Sequence, residues 1–316
     1  MFHLRFDHRL SFATLLGLAM ALAIPVYAEE PETMRVMTYN IWVGGEASRQ
    51  PLSQTVKVID AARADLVGMQ ETRGERRNGQ RPDAARAIAN MLGWHHLDQG
   101  DGTAVVSRYK ITGSTPKKWG VRVELPSGRR AWLFNVHLAH APYQPYQLLK
   151  IPYADAPFID DAQEAVAAAR DAREESITAM LGELQAVRGE GAAMFVTGDF
   201  NEPSPLDWTE AVCQAGRCPC IVDWPTAAAV LQAGFVDAYR QIHPDPLKAP
   251  GYTWTPLTSV DDPQDRHDRI DQVLVAGDGV SVENAEVVGE SPENADIVVT
   301  PYPSDHRGVV ATVKLQ

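Results

Sequence analysis

Side chains that could ligate a metal or move a proton recur beside apolar stretches of this chain. Asn40 interrupts RVMTYNIW, Glu71 follows LVGMQ, and His137 stands near the end of AWLFNVHL. Asp199 and Asn201 follow AMFVT, Asp271 opens the apolar run of RIDQVLV, and Asp305 with His306 precedes GVVATVK. Hard divalent cations take oxygen ligands, and Mg²⁺ keeps several positions for water and phosphate. Asn40, Glu71 and Asp305 offer such a set. Phosphoryl transfer also needs a group to activate water and donors for charge gathering on the phosphoryl oxygens. Asp199, Asn201, His137 and His306 are suitable types. Taken singly each has a blander reading: a capped turn at Asn40, a solvated loop acid at Glu71, an Asx turn at Asp199 to Asn201. Asp271 is different, because a carboxylate in an apolar strand is costly unless it is paired.

The elements that must position these groups are a succession of strands and helices. Arg35 to Trp42 reads as a first strand, Pro51 to Arg63 has helical spacing, and Leu66 to Gln70 reads as a short buried strand. A helix is expected over Asp83 to Leu92, then strands at Thr103 to Ser107, Val121 to Glu124 and Ala131 to Leu138. A long helix lies within Asp160 to Val187, rich in alanine, glutamate and arginine, before a strand at Ala193 to Thr197. A helix around Thr226 to Gln232 precedes strands at Arg269 to Val275, Ser281 to Val288 and Gly308 to Lys314. Neither a repeat nor a linker divides this α/β succession.

Composition narrows the class. The 316 residues are 45% hydrophobic and 22% charged, the balance of a globular protein, which excludes a disordered or fibrous chain. A formal charge of -12 argues against a broad basic face for nucleic acid, although a local patch could suffice. Arg5 and Arg9 precede an apolar run from Leu10 to Ile24, and Val26-Tyr27-Ala28 supplies a cleavage signature before Glu29. The run is shorter than the roughly 20 residues a membrane span needs. The expectation is therefore a signal peptide over residues 1–28 and one domain over 29–316, secreted or periplasmic, with no transmembrane anchor in the mature chain. Losing two arginines and one aspartate with that peptide takes the formal charge from -12 to about -13. In CQAGRCPC, an exported compartment favours one disulfide among Cys213, Cys218 and Cys220, with the pairing open and the spacing unlike a zinc site.

TYNIW, VGMQET, NVHL, TGDFN, RIDQVLV and SDHRGV, in that order over almost the whole mature chain, resemble the deoxyribonuclease I-like endonuclease/exonuclease/phosphatase superfamily. The resemblance implies a four-layered α/β sandwich, two mostly antiparallel sheets flanked by helices. It also implies a Mg²⁺- or Mn²⁺-dependent phosphoester hydrolase in which activated water attacks phosphorus in line. By motif position, Glu71 is the principal metal ligand, with Asn40 and Asp305 beside it. Asp199 orients or deprotonates the water, and Asn201 holds the phosphate or that aspartate. His306 stands beside the phosphate, oriented by Asp271, and His137 contacts a phosphoryl oxygen. Asp268 competes with Asp271, which fits the motif better. The second carboxylate that partners this histidine in some nucleases has no clear counterpart.

The resemblance spans nucleases, sphingomyelinases and phosphatases, so it implies the chemistry more closely than the substrate. A phosphodiester is expected, against a phosphomonoester of a sugar or inositol, or a catalytically silent binding module. No obligate protein partner is implied. Between His137 and the long helix, HAPYQPYQLLKIPYADAPF places Tyr143, Tyr146, Tyr153 and Phe158 among prolines, either as a packed loop or as a wall over the site. His140, Tyr143, Tyr146 and Arg269 are the expected substrate contacts, and Arg307 is a further cation near a motif. Trp254 reads as core or as cleft lining.

Overall fold

The computed structural model describes residues 1–3, 31–153 and 155–316; the expected signal peptide, apart from its first three residues, lies outside the described residues. Residues Pro31–Gln316 form one compact unit. One sheet has seven strands in the order β12 (Ile297–Val298), β11 (Val280–Gly289), β13 (Gly308–Leu315), β1 (Glu32–Asn40), β2 (Leu66–Gln70), β4 (Thr103–Ser107) and β3 (His95–Gly100). The other has six: β5 (Lys110–Ser114), β6 (Gly120–Glu124), β7 (Arg130–His137), β8 (Ala193–Asp199), β10 (Asp271–Ala276) and β9 (Val236–Asp237). Neighbours run antiparallel except β1 with β2, β11 with β12 and β7 with β8.

Both sheets are buried on both faces, so their central strands read as nearly continuous apolar runs. The faces that meet are filled by Val36, Leu66, Val105, Leu133, Phe195, Val273 and Val309. On the outside of the seven-stranded sheet, α1 (Leu52–Ala61) and α2 (Ala84–Leu92) bury Val58, Ile59, Ala85 and Ile88. Outside the other, α4 (Ala162–Val187) and α6 (Pro225–Gln232) bury Ile177, Met180, Leu184, Ala227 and Val230. This is the expected sandwich of two sheets between helical layers. Gly68 on β2 lets them approach closely, because an added Cβ would lie 2.1 Å from Thr197 Oγ1 and 2.5 Å from Asn135 Oδ1. Those two side chains and Gln70 form a buried polar bridge between the sheets, with Gln70 Nε2 donating to Asn135 Oδ1 at 2.7 Å and Thr197 Oγ1 donating to it at 3.2 Å.

Several elements depart from the expectations. The first strand ends at Asn40, because Trp42 and Val43 turn into left-handed backbone with φ of 53° and 50°. β3 and β5 carry HHLDQG and KITGS, polar edge strands whose sequences lack a buried alternation. The proline-rich stretch after His137 contains α3 (Gln144–Leu149), since Pro145 sits in a first turn where its missing N–H costs nothing. Two further short helices, α5 (Glu210–Gln214) and α7 (Ala238–Ile242), flank α6 in sequence. Cys213 and Cys218 form the disulfide and Cys220 is a free thiol.

Candidate active site

Strand polarity brings the chemistry to one end of the sandwich. β7 and β8 run parallel with His137 opposite Asp199, and β10 runs antiparallel to β8 with Asp271 opposite Asp199. These three residues therefore form one row across adjacent strands. In the other sheet β1 and β2 run parallel with Asn40 opposite Gln70, so Glu71 leaves β2 beside Asn40. β13 is antiparallel to β1, which delivers the residues just before it, Asp305 and His306, to the same end. Ser304 ties the two arrivals together: its hydroxyl donates to the Asn40 carbonyl at 2.7 Å and accepts from His306 N–H at 3.1 Å.

Asp199 is the hub, with 1% of its surface exposed. Its Oδ1 accepts from Asn201 N–H at 2.9 Å, and its Oδ2 accepts from Asn40 Nδ2 at 3.1 Å. The same Oδ2 lies 3.6 Å from His137 Nε2 and 3.7 Å from His306 Nε2. His306 Nδ1 meets Asp271 Oδ2 at 2.9 Å, which leaves its Nε2 edge toward Asp199. Thr253 Oγ1 fixes the start of β10 by accepting from both Ile270 and Asp271 N–H at 3.0 Å. Asn201 occupies left-handed backbone at φ 47°, which asparagine tolerates, and its Nδ2 donates to the Leu138 carbonyl at 3.0 Å. Glu71 holds φ 53° without that tolerance, a conformation costing on the order of 1–3 kcal/mol that the Val43 N–H and Asn40 contacts to its carboxylate help to hold.

Negative charge is concentrated here and only partly offset by His306. Burial pushes the Asp305 carboxyl up to about 7; His306 pulls against the rise, while Glu71 and Asp199 add to it. Burial would lower the His306 imidazole, but Asp271, Asp199 and Asp305 outweigh it and push the ring up to about 10. Burial raises Asp271 as well, yet the shared proton belongs on the imidazole, because the other two carboxylates favour the charged ring.

The residues fit a hard cation. Asp305 Oδ1 is buried without a hydrogen-bond partner, and Glu71 faces it across the cleft with oxygens held by Asn40 Nδ2 at 3.2 Å and Val43 N–H at 2.9 Å. A divalent ion among these oxygens would return Asp305 to its charged form. Asn40 fits the ligand role less well: its Oδ1 accepts from Trp42 N–H at 3.0 Å while Nδ2 spans Glu71 and Asp199, so it acts as a bridge between the two acids. Asp199, Asp271 and His306 also offer ligand atoms within 4.8 Å of one another. The Asp271 to His306 hydrogen bond already joins two of them, so a proton suffices to hold that trio.

Glu71, Asp199, Asp305, His137 and His306 line a cleft of about 240 Å³, together with Asn201, His140, Tyr143, Tyr146, Tyr153, Trp42 and Trp254, while Asp271 is buried behind His306. His140 is exposed at the rim of the cleft. Arg269 does not reach it, contrary to expectation: the guanidinium is buried against Asp237 at 2.7 Å and Asp207 at 3.0 Å. Arg307 is likewise buried, clasped by Glu290 at 2.7 Å and 2.5 Å. Asp268 does not orient His306; it accepts from Tyr143 Oη at 2.9 Å and Trp208 Nε1 at 3.0 Å. Ser304 and Thr253 carry no signal in the sequence that marks them as supports, since each acts through a single hydroxyl.

The fold and the site define a phosphoesterase-like α/β sandwich with a buried histidine–aspartate pair beside an acid-lined cleft. Residues 37–306 match the Endonuclease/Exonuclease/phosphatase family, and the chain belongs to that family. It is 27% identical over 301 residues to the uncharacterized protein F14F9.5 of Caenorhabditis elegans, covering 88% of this chain and 90% of that one. Its fold is similar to an endonuclease/exonuclease/phosphatase from Beutenbergia cavernae, with a TM-score of 0.55, 17% identity, and 90% of this chain and 72% of that chain covered. An AP endonuclease from Archaeoglobus fulgidus matches with a TM-score of 0.54, 17% identity and coverage of 88% and 98%. A 3'-5' exonuclease from Neisseria meningitidis matches with a TM-score of 0.53, 20% identity and coverage of 88% and 98%.

Proposed function

We propose that this protein is an exported, Mg²⁺- or Mn²⁺-dependent hydrolase of a phosphodiester, acting as one domain over residues 29–316 after removal of a signal peptide at 1–28. The observation that carries the reading is the convergence on one carboxylate, Asp199, of Asn40 at 3.1 Å, His137 at 3.6 Å and His306 at 3.7 Å. Glu71 and Asp305 would hold the cation, which when bound neutralises charge at the phosphoryl group. Asp199 accepts a proton from water as the water oxygen attacks phosphorus in line, while the P–O bond opposite breaks and the leaving oxygen departs to take a proton from solvent. Asn201 N–H keeps that carboxylate aimed. The charged His306 donates from Nε2 to a phosphoryl oxygen, with Asp271 fixing the tautomer, and His137 donates from the opposite strand.

A diester is favoured over a monoester because two cavities meet at this point. A second groove, of about 390 Å³, shares Val43, Glu71 and His137 with the cleft and continues past Arg81 and Gly102. A phosphodiester has a substituent for each, whereas a monoester leaves one of them empty. Glu71→Gln tests the assignment: it should raise the Mg²⁺ concentration for half-maximal hydrolysis of a nitrophenyl phosphodiester while the protein stays folded. An unchanged metal requirement would remove Glu71 from the cation site.

A further inference from the structure

Helix α4 buries a stripe at helical spacing, Ala165, Ala169, Arg173, Ile177, Met180 and Leu184, so a guanidinium stands where the neighbours on either side are apolar. Arg173 is 1% exposed, and so is Glu202, 4.0 Å away. Taking two charges out of water is costly, and a buried ion pair is often no more stabilising than apolar side chains of the same volume. Stability alone therefore does not account for a charge at this place in the stripe.

The guanidinium spends its donors on one short segment. Nε donates to the Ala139 carbonyl at 2.9 Å, Nη2 to the Pro142 carbonyl at 2.9 Å and Nη1 to Gln144 Oε1 at 2.7 Å. That segment leaves β7 directly after His137 and carries His140 and Tyr143 to the cleft. At its start, Leu138 N–H donates to the Asp199 carbonyl at 3.0 Å, and the Leu138 carbonyl accepts from Asn201 Nδ2 at 3.0 Å. Glu202, the next residue after Asn201, accepts from Thr226 N–H and Thr226 Oγ1, both at 2.8 Å, in the first turn of α6. A side chain on α4 thus fixes the exit of β7 against the exit of β8, where His137 Nε2 stands 3.6 Å from Asp199 Oδ2.

We propose that Arg173 is a positioning residue for the hydrolysis: its planar fork holds residues 139–144 so that His137 faces Asp199 across the strand ends. The inference rests on the phosphodiesterase reading above, and it adds a residue that touches neither substrate nor cation. Arg173 acts on the six-stranded sheet, whereas Glu71 follows β2 and Asp305 precedes β13 in the other. The two halves of the site should therefore respond separately to its loss.

The test follows hydrolysis of bis(p-nitrophenyl) phosphate with Mg²⁺ and, in the same proteins, the NMR signals of the His137 ring, assigned by their loss in His137→Gln. Arg173→Met is made together with Glu202→Gln, so that no unpaired charge is left buried, and is compared with Glu202→Gln alone. Its kcat should fall about 10-fold to 100-fold, the scale of a catalytic group displaced by about 1 Å, and the His137 signals should move. The Mg²⁺ concentration for half-maximal rate should stay the same. Arg173→Lys keeps the charge without the fork and should show the same loss; it also takes the place of the double variant if that one does not fold. Ile177→Ala, one turn further along the same buried stripe, should lower the urea midpoint while kcat and the His137 signals stay as in the wild type. Unchanged kcat, unmoved His137 signals, an equal loss in Ile177→Ala, or full activity in Arg173→Lys would overturn the proposal. If the wild type cleaves no phosphodiester, the reading above falls, and the His137 signals still decide whether Arg173 sets that ring: a shift supports it and none refutes it.

Discussion

Asp199 carries more contacts to functional groups than any neighbour, and its two oxygens do different things. Oδ1 is occupied by Asn201 N–H at 2.9 Å, which leaves Oδ2 to face both histidines. Replacing Asp199 by Asn removes the base, and replacing His306 by Ala removes the buried cation beside it. Each change should lower kcat by roughly 10²-fold to 10⁴-fold, with the fold retained by circular dichroism. The double variant should lose less than the product of the two, because the groups act as a unit. Wild-type kcat in either single variant would require another base. These residues could be read from the sequence because each is a polar side chain that breaks or ends an apolar run. Arg269 looked like a phosphate arm by the same logic, yet its partners Asp207 and Asp237 stand 62 and 32 positions earlier in the chain. Separations of that size are not visible in a local pattern.

At the scale of elements, the strands that carry the site were readable and the supports around it were not. β2 and β4 have the expected limits, and β7, β8, β10 and β13 differ by one or two residues at an end. Their apolar runs are long enough to declare themselves. The edges β3 and β5 are too polar, and α3 is hidden by its proline. What holds α3 against α4 is a buried charge network: Arg173 on α4 donates to the carbonyls of Ala139 and Pro142 at 2.9 Å and to Gln144 Oε1 at 2.7 Å, with Glu202 4.0 Å away. Burial pushes Glu202 from its ordinary 4.5 up to about 7, against the pull of Arg173 and Thr226. The folded state thus binds this proton more tightly than the unfolded chain. The stabilisation is full below about pH 4.5 and is lost as pH rises through about 7, a contribution of about 3 kcal/mol. Glu202→Gln keeps an acceptor for Thr226 and cannot titrate, so its urea-unfolding free energy should fall less between pH 4.5 and 7.5 than that of the wild type. Parallel curves would show that Glu202 is not the titrating group.

For the whole molecule, the formal charge of -12 and the acid-lined cleft point the same way. On the proposed reading an anionic substrate would be drawn in by the bound cation, by His306 and by Arg81 of the adjoining groove, since Arg269 and Arg307 are spent inside the fold. Among the described residues no helix is long and apolar enough to cross a membrane. The layered fold was readable as a whole because α/β alternation, motif order and strand-end acids agreed with one another. On the proposed reading, phosphoester hydrolysis depends on a divalent cation held by Glu71 and Asp305. The most direct measurement is hydrolysis of bis(p-nitrophenyl) phosphate by the purified protein in EDTA, followed by addition of excess Mg²⁺ or Mn²⁺. Turnover should vanish in chelator and return with either ion, whereas full activity of the metal-stripped protein would contradict the account.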